Sequence, residues 1–303
     1  MKEDATFIGF DFESLRETKW HVVALAVIVD AVFLALAMLI VLPFFRASFP
    51  VENFTAGLIQ PTFLFSGMRF VLVALGVAML LGGLRARDIG LHWKKLPGGV
   101  LVVFGLWIVM QLIGMLLGLV SSGKVALSPI WTPDRVPLIF GELIAQFLGN
   151  AFAEEVIFRG FLMTQVYLLL KKRVSGRGRL AMVSVLTSQL IFALSHVPQR
   201  IATGYPPRSL LLNLPILWVT GMLFAVLYLR TGNIFITVGV HALVNAPVTV
   251  VAMPSQLVAE LLPIVLFLAL IALWRPLMYW MEGVGGEATG TAHLLTGHVG
   301  GRH

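Results

Sequence analysis

Apolar runs of about 20 residues, each long enough to cross a bilayer, recur from one end of this chain to the other. That repetition restricts the fold before any motif is read, because backbone at bilayer depth has to satisfy its own polar groups. Only 12% of the 303 residues are charged, about half the share of a soluble domain, and 58% are hydrophobic. The expected architecture is all-α, a polytopic membrane protein built as a bundle of about eight transmembrane helices. With no cysteine, disulfide, thiolate and iron–sulfur chemistry are excluded.

Taken in order, residues 1–19 read as an exposed N-terminal segment of mixed charge. Residues 20–135 hold three spans and their loops: about Trp20 to Phe45, Phe63 to Leu84, and Gly98 to Val120. Residues 136–251 hold four more. The first stays apolar from Val136 to Lys171, which as one helix would reach about 53 Å, so it either protrudes into water or breaks near Gly160. The others run from about Leu180 to Val197, Leu210 to Leu229 and Ile234 to Val251. Residues 252–281 carry an eighth span from Gln256 to Trp274, and residues 282–303 form a Gly- and Thr-rich tail expected to be disordered.

The net charge of +7 is a topology signal and not a nucleic-acid footprint, since the basic residues cluster between spans. Eight spans place both termini on one side. Fifteen Lys and Arg fall on that side and six opposite (Arg46, Arg69, Lys124, Arg135, Arg200, Arg208), which predicts cytoplasmic termini.

Inside this apolar frame sits Glu154-Glu155-Val156-Ile157-Phe158-Arg159-Gly160. A charge at bilayer depth costs roughly 3 kcal/mol on insertion scales, so three within six residues need partners. Glu155 and Arg159 are four apart on one helix face and can pair. Glu154 is rotated by about 100° and is free to act as a base. His196 lies near the end of the fifth span. Glu154 and His196 are 17 and 16 residues from the loop edges Lys171 and Leu180, so in antiparallel neighbours they reach similar depth. His241 and Asn245 are four apart and offer donors for a developing oxyanion. His241, only 11 residues from Arg230, sits too shallow to match unless its helix starts inside the membrane. Asp30, Glu142, Asn150, Asn213 and Glu260 are isolated and read as helix–helix hydrogen-bonding groups or as lining for a polar cavity.

There is no HExxH, no Walker A loop, no dinucleotide fingerprint, and no GxSG or GxGD element of other membrane proteases. A carboxylate, two imidazoles and an amide remain, the parts that activate water against a carbonyl. Glu154-Glu155-x-x-x-Arg159, Phe192-x-x-x-His196 and His241-x-x-x-Asn245, in this order and each on an expected span, resemble the three motifs of the CPBP family. That family comprises type II CaaX prenyl endopeptidases and Abi-type intramembrane proteases. The resemblance covers residues 154–245, and the first 130 residues carry no motif.

The resemblance implies an eight-helix bundle with the site in a conical intramembrane cavity. It makes Glu154 the base that activates water, His196 the residue that orients it, and His241 and Asn245 the oxyanion site. Glu155 and Arg159 become a supporting ion pair. The implied partners are the lipid bilayer and a peptide or prenylated protein. No cofactor is favoured. Zinc held by Glu154, His196 and His241 is the alternative, but Glu155 would then have to serve as base while Arg159 competes for it. A zinc-dependent protease for bacteriocin-like peptides, and a transporter or immunity protein using the cluster as scaffold, are the rival readings.

Overall fold

The computed structural model describes residues 10–296, and each long apolar run in it is a helix. Seven helices are long and apolar enough to cross a membrane. They are α1 (Trp20–Phe45), α2 (Pro61–Leu81), α3 (Trp93–Ser122), α4 (Val136–Leu170), α5 (Arg177–Ala202), α6 (Pro207–Thr231) and the N-terminal part of α8, Gln256–Pro276. Between α6 and α8 lies the short α7 (Ile234–Asn245). The chain is an all-α polytopic membrane protein; among the described residues the only β pairing is an isolated bridge, Leu127 to Val251.

The centre of the bundle is α4. Every residue from Ala153 to Gln165 is buried, the charged Glu154, Glu155 and Arg159 included, so this stretch is enclosed by neighbours on all sides. It contacts α2, α5 and α7, while α3 backs α7 and α6 backs α5. The helix runs unbroken through Gly160, so of the two expectations for this 35-residue segment the continuous one holds. Glycine is required at 160 because a loop crosses there: a Cβ would stand 2.1 Å from the carbonyl oxygen of Ile89. From Glu155 to Met163 the backbone is wound wider, with i to i+5 bonding, a geometry that often marks functional stretches of helices.

The expected seventh span is shorter than its apolar run. α7 stops at Asn245, before Pro247, and its 12 residues rise about 18 Å against a core of about 30 Å. The chain beyond it is extended and satisfied by side chains of α3 and the following loop. Trp107 donates to the carbonyl of Val248, Trp131 to that of Thr249, and Gln111 accepts from the Val250 and Val251 amides. At the other end, Gly232 closes α6 in the left-handed region (φ +59°) and the Asn233 side chain caps α7 by accepting from the Phe235 amide. Two further differences concern the ends of elements. α5 passes His196 and continues as Val197–Ala202, with Pro198 tolerated in the first turn. α8 continues to Thr296, so residues 282–296 are helical where disorder was expected, no proline after Pro276 interrupting it. Residues 297–303, the rest of that tail, lie outside the described residues, as do residues 1–9.

Arg69 also departs from expectation. Counted above among the six charges that report orientation, it is a buried residue of α2, 3% exposed.

Candidate active site

Three helices bring the motif residues to one place. On α4, Glu155 is fully buried and its Oε1 accepts from Arg159 Nη1 at 3.0 Å. Arg159 also donates to the Gly221 carbonyl of α6 at 3.3 Å, and its guanidinium lies over the Phe192 ring, 4.2 Å from the centroid. The phenylalanine of the second motif is thus a cation–π platform for the arginine of the first. The same Glu155 oxygen accepts from His241 Nδ1 at 2.7 Å.

Glu154, one residue earlier and 5% exposed, is held differently. Its Oε1 lies 3.9 Å from His196 Nε2 and 3.5 Å from Arg69 Nη1, and its Oε2 lies 3.7 Å from His241 Nε2. Oε2 has no direct hydrogen-bond partner among the described residues. Two adjacent glutamates therefore have different chemistry: Glu155 is committed to short charged hydrogen bonds, and Glu154 is ringed by polar groups without being consumed by one.

The ring protons follow from the partners. His196 Nδ1 is 2.9 Å from the Phe192 carbonyl oxygen, which can only accept, so Nδ1 carries the hydrogen. His241 Nδ1 faces a carboxylate paired with arginine and carries one too. Both neutral rings then present an Nε2 lone pair toward Glu154. His241, expected to donate to an oxyanion, has a hydrogen at Nε2 only when doubly protonated. Its ring is stacked on Phe224 at 4.5 Å, which fixes its plane.

The depth mismatch of His241 disappears for a specific reason. A Cβ on Gly90 would meet Gly160 at 3.3 Å and Ile234 at 3.6 Å, so α7 begins level with Gly160 and not with Lys171. His241 is seven residues past Ile234 and Glu154 six before Gly160, giving depths of about 10 and 9 Å.

Asn245 is the member the structure does not bring into contact. It is exposed at the end of α7, and its Nδ2 donates to Gln146 Oε1 of α4 at 3.0 Å. Conversely, two residues that motif reading passed over join the cluster. Arg69 of α2 donates through Nε and Nη2 to Asp30 of α1, at 2.6 and 2.9 Å, and turns Nη1 toward Glu154. Of the other isolated polar groups, Asn213 accepts from Arg200 Nε at 2.9 Å, and Glu260 accepts from Gln256 at 2.8 Å.

A carboxylate with two imidazole lone pairs is a donor set zinc accepts. Among the described residues, however, no three His, Cys, Asp or Glu side chains are grouped to hold an ion. The Arg69 cation 3.5 Å from Glu154 Oε1 also opposes a metal there.

Behind the cluster lies a separate apolar cavity of about 700 Å³ between α3, α4 and α7. Trp93, Trp107, Phe152, Gly239 and Leu243 help to line it. Phe152 is two residues from Glu154, and Gly239 and Leu243 are two from His241, so the cavity faces the opposite side of both helices.

The buried glutamate and two histidines of this multi-pass helical membrane protein converge from three helices. Residues 136–247 match the family described as Type II CAAX prenyl endopeptidase Rce1-like. That match is consistent with the resemblance of the three motifs to the CPBP family and supports a CAAX-type intramembrane protease in general. No curated protein and no solved structure matches the chain.

Proposed function

We propose that this protein is a glutamate-dependent intramembrane endopeptidase that removes the C-terminal tail of prenylated CaaX-type substrates. The observation carrying the reading is the position of Glu154, with a carboxylate oxygen 3.9 Å from His196 Nε2 and the other 3.7 Å from His241 Nε2. A water can sit at hydrogen-bond distance, about 2.8 Å, from Glu154 Oε1 and the His196 lone pair together. Glu154 takes the water's proton as the oxygen attacks the scissile carbonyl, and returns it to the leaving amine. His241, anchored at Nδ1 by Glu155, takes a second proton from solvent before substrate binds and donates it as an Nε2 hydrogen bond to the tetrahedral oxyanion, keeping it through the cycle. Asn245 supplies a second donor on exchanging Gln146 for substrate. Glu155 and Arg159 hold the imidazole in register, and no step passes through a metal.

The prenylated substrate class is supported by the family match over residues 136–247. Residues 136–251 form the catalytic core in this reading. Residues 20–135 and the helix from 252 to 281 support it, and the termini face the cytoplasm. The test is cleavage of a fluorogenic farnesylated CaaX peptide by the purified protein in detergent. Glu154→Gln is expected to lower kcat by several orders of magnitude with the melting temperature retained. Wild-type rates in Glu154→Gln and His196→Ala would leave only the scaffold alternative standing.

A further inference from the structure

The buried charges around the site include three carboxylates (Asp30, Glu154, Glu155) and two guanidiniums (Arg69, Arg159). With both imidazoles neutral they sum to one negative charge. Where that charge resides is decided by how the arginines are shared. Arg159 gives Glu155 a direct bond at 3.0 Å. Arg69 instead spends its Nε and Nη2 edge on Asp30, in the two-point geometry that makes arginine–carboxylate pairs strong. Only Nη1 is left for Glu154, at 3.5 Å, beyond a short hydrogen bond. The Phe158 ring, with its centroid 5.3 Å from the guanidinium carbon, helps to fix the guanidinium.

We infer that Arg69 is a positioning residue for Glu154, and that Asp30 sets how much of Arg69 the glutamate receives. The inference rests on Glu154 being the base. Arg69 draws Oε1 toward α2 and next to His196 Nε2, which fixes the carboxylate plane and leaves Oε2 toward His241. Asp30 keeps the guanidinium from closing onto Glu154 as a two-point pair, which would tie up the oxygen that has to accept a proton. A pair serving only to clamp α1 to α2 would need no third nitrogen directed at α4.

Exchanging the two charges separates these roles. The double variant Asp30→Arg with Arg69→Asp keeps an ion pair between α1 and α2 but moves the cation away from Glu154. Thermal unfolding would be measured, and kcat and KM on the farnesylated CaaX peptide, for wild type, this double variant, the single reversals Asp30→Arg and Arg69→Asp, Arg69→Lys, Asp30→Asn and Glu154→Gln. The exchange is expected to recover the melting temperature relative to either single reversal, while kcat stays down by about 100-fold, the scale of a misplaced catalytic group, with KM unchanged. Arg69→Lys, which retains the charge, is expected to recover part of kcat, and Asp30→Asn to lose kcat while folded. Wild-type kcat in the exchanged variant, or in a folded Asp30→Asn, overturns the inference. If this happens while Glu154→Gln is inactive, the protease reading survives and only the role of Arg69 falls. A Glu154→Gln protein as active as wild type removes both.

Discussion

His241 and Glu155 are joined through Nδ1 at 2.7 Å, and that one bond turns the opposite ring nitrogen toward Glu154. The catalytic reading therefore depends on a carboxylate that does no proton transfer itself. It also makes Arg159, which holds that carboxylate, a stability residue.

Arg159→Leu leaves Glu155 charged and fully buried without its guanidinium. Breaking one side of a buried pair costs about 3 to 5 kcal/mol. Unfolding in detergent is expected to show a loss of that size, and a conservative Arg159→Lys only part of it.

Gly160→Ala places a methyl group 2.1 Å from the Ile89 carbonyl oxygen, a backbone atom that cannot rotate away. Overpacking of this kind costs about 1 to 3 kcal/mol. Because Gly160 sets the depth at which the 86–90 loop and α7 pack, kcat is expected to fall together with the melting temperature. The same substitution at Gly98, where a Cβ meets nothing, is expected to leave both unchanged.

Asn245 is exposed and bound only to Gln146 among its side-chain contacts, so truncation is not expected to destabilise the bundle. Asn245→Ala should lower kcat by about 100-fold, the loss typical of one oxyanion donor, with KM little altered. A kcat within threefold of wild type would remove Asn245 from the oxyanion site.

His92, in the loop before α3, is held below the ordinary imidazole range by burial first and then by the Lys95 and Arg87 cations. The folded chain thus resists its protonation more than the unfolded chain does. The associated stability is present above pH about 6.5 and is lost as pH falls through the lower folded-state value. Melting temperatures between pH 7.5 and 5 are expected to decline less steeply in His92→Gln than in wild type.

Chelation gives a further check. Peptidase activity should survive exhaustive treatment with a strong chelator, with zinc quantified in the same sample. Activity that disappears with zinc and returns on its readdition would show that Glu154 and the imidazoles close around an ion in the working enzyme.

Much of the site was legible in the chain because its logic is local or repeats in order. Glu155 and Arg159 declare themselves by a spacing of four, and each histidine follows from its own motif. α7 was read too long because hydropathy continues to Val251 while the helix yields before Pro247, and periodicity does not report that ending. Asp30 was read as a helix–helix hydrogen-bonding group, but its partner Arg69 was not, because their contact spans 39 residues and belongs to no motif. Thr18 Oγ1 donates to the Gly82 carbonyl, so the start of α1 and the end of α2 are level. Asp30 lies 12 residues beyond that contact and Arg69 lies 13 before it, about 18 and 20 Å deep. Two opposite charges at equal depth in consecutive antiparallel spans are a pair. That level is set by the folded structure, since the expected span edges, Phe45 at 15 residues past Asp30 and Phe63 at six before Arg69, put the two charges at different depths.

The pairing of Asp30 with Arg69 also bears on how the protein is made. As the chain leaves the ribosome, α1 and α2 emerge one after the other, and each carries the counter-ion of the other, so this first hairpin can partition into lipid as an electrically neutral unit. α4 follows with Glu155 and Arg159 already matched within one turn. Glu154 enters with one nitrogen of Arg69 available to it and ahead of its imidazoles, which arrive 42 and 87 residues later. Biogenesis thus leaves the surroundings of a single carboxylate to be completed when α5 and α7 pack.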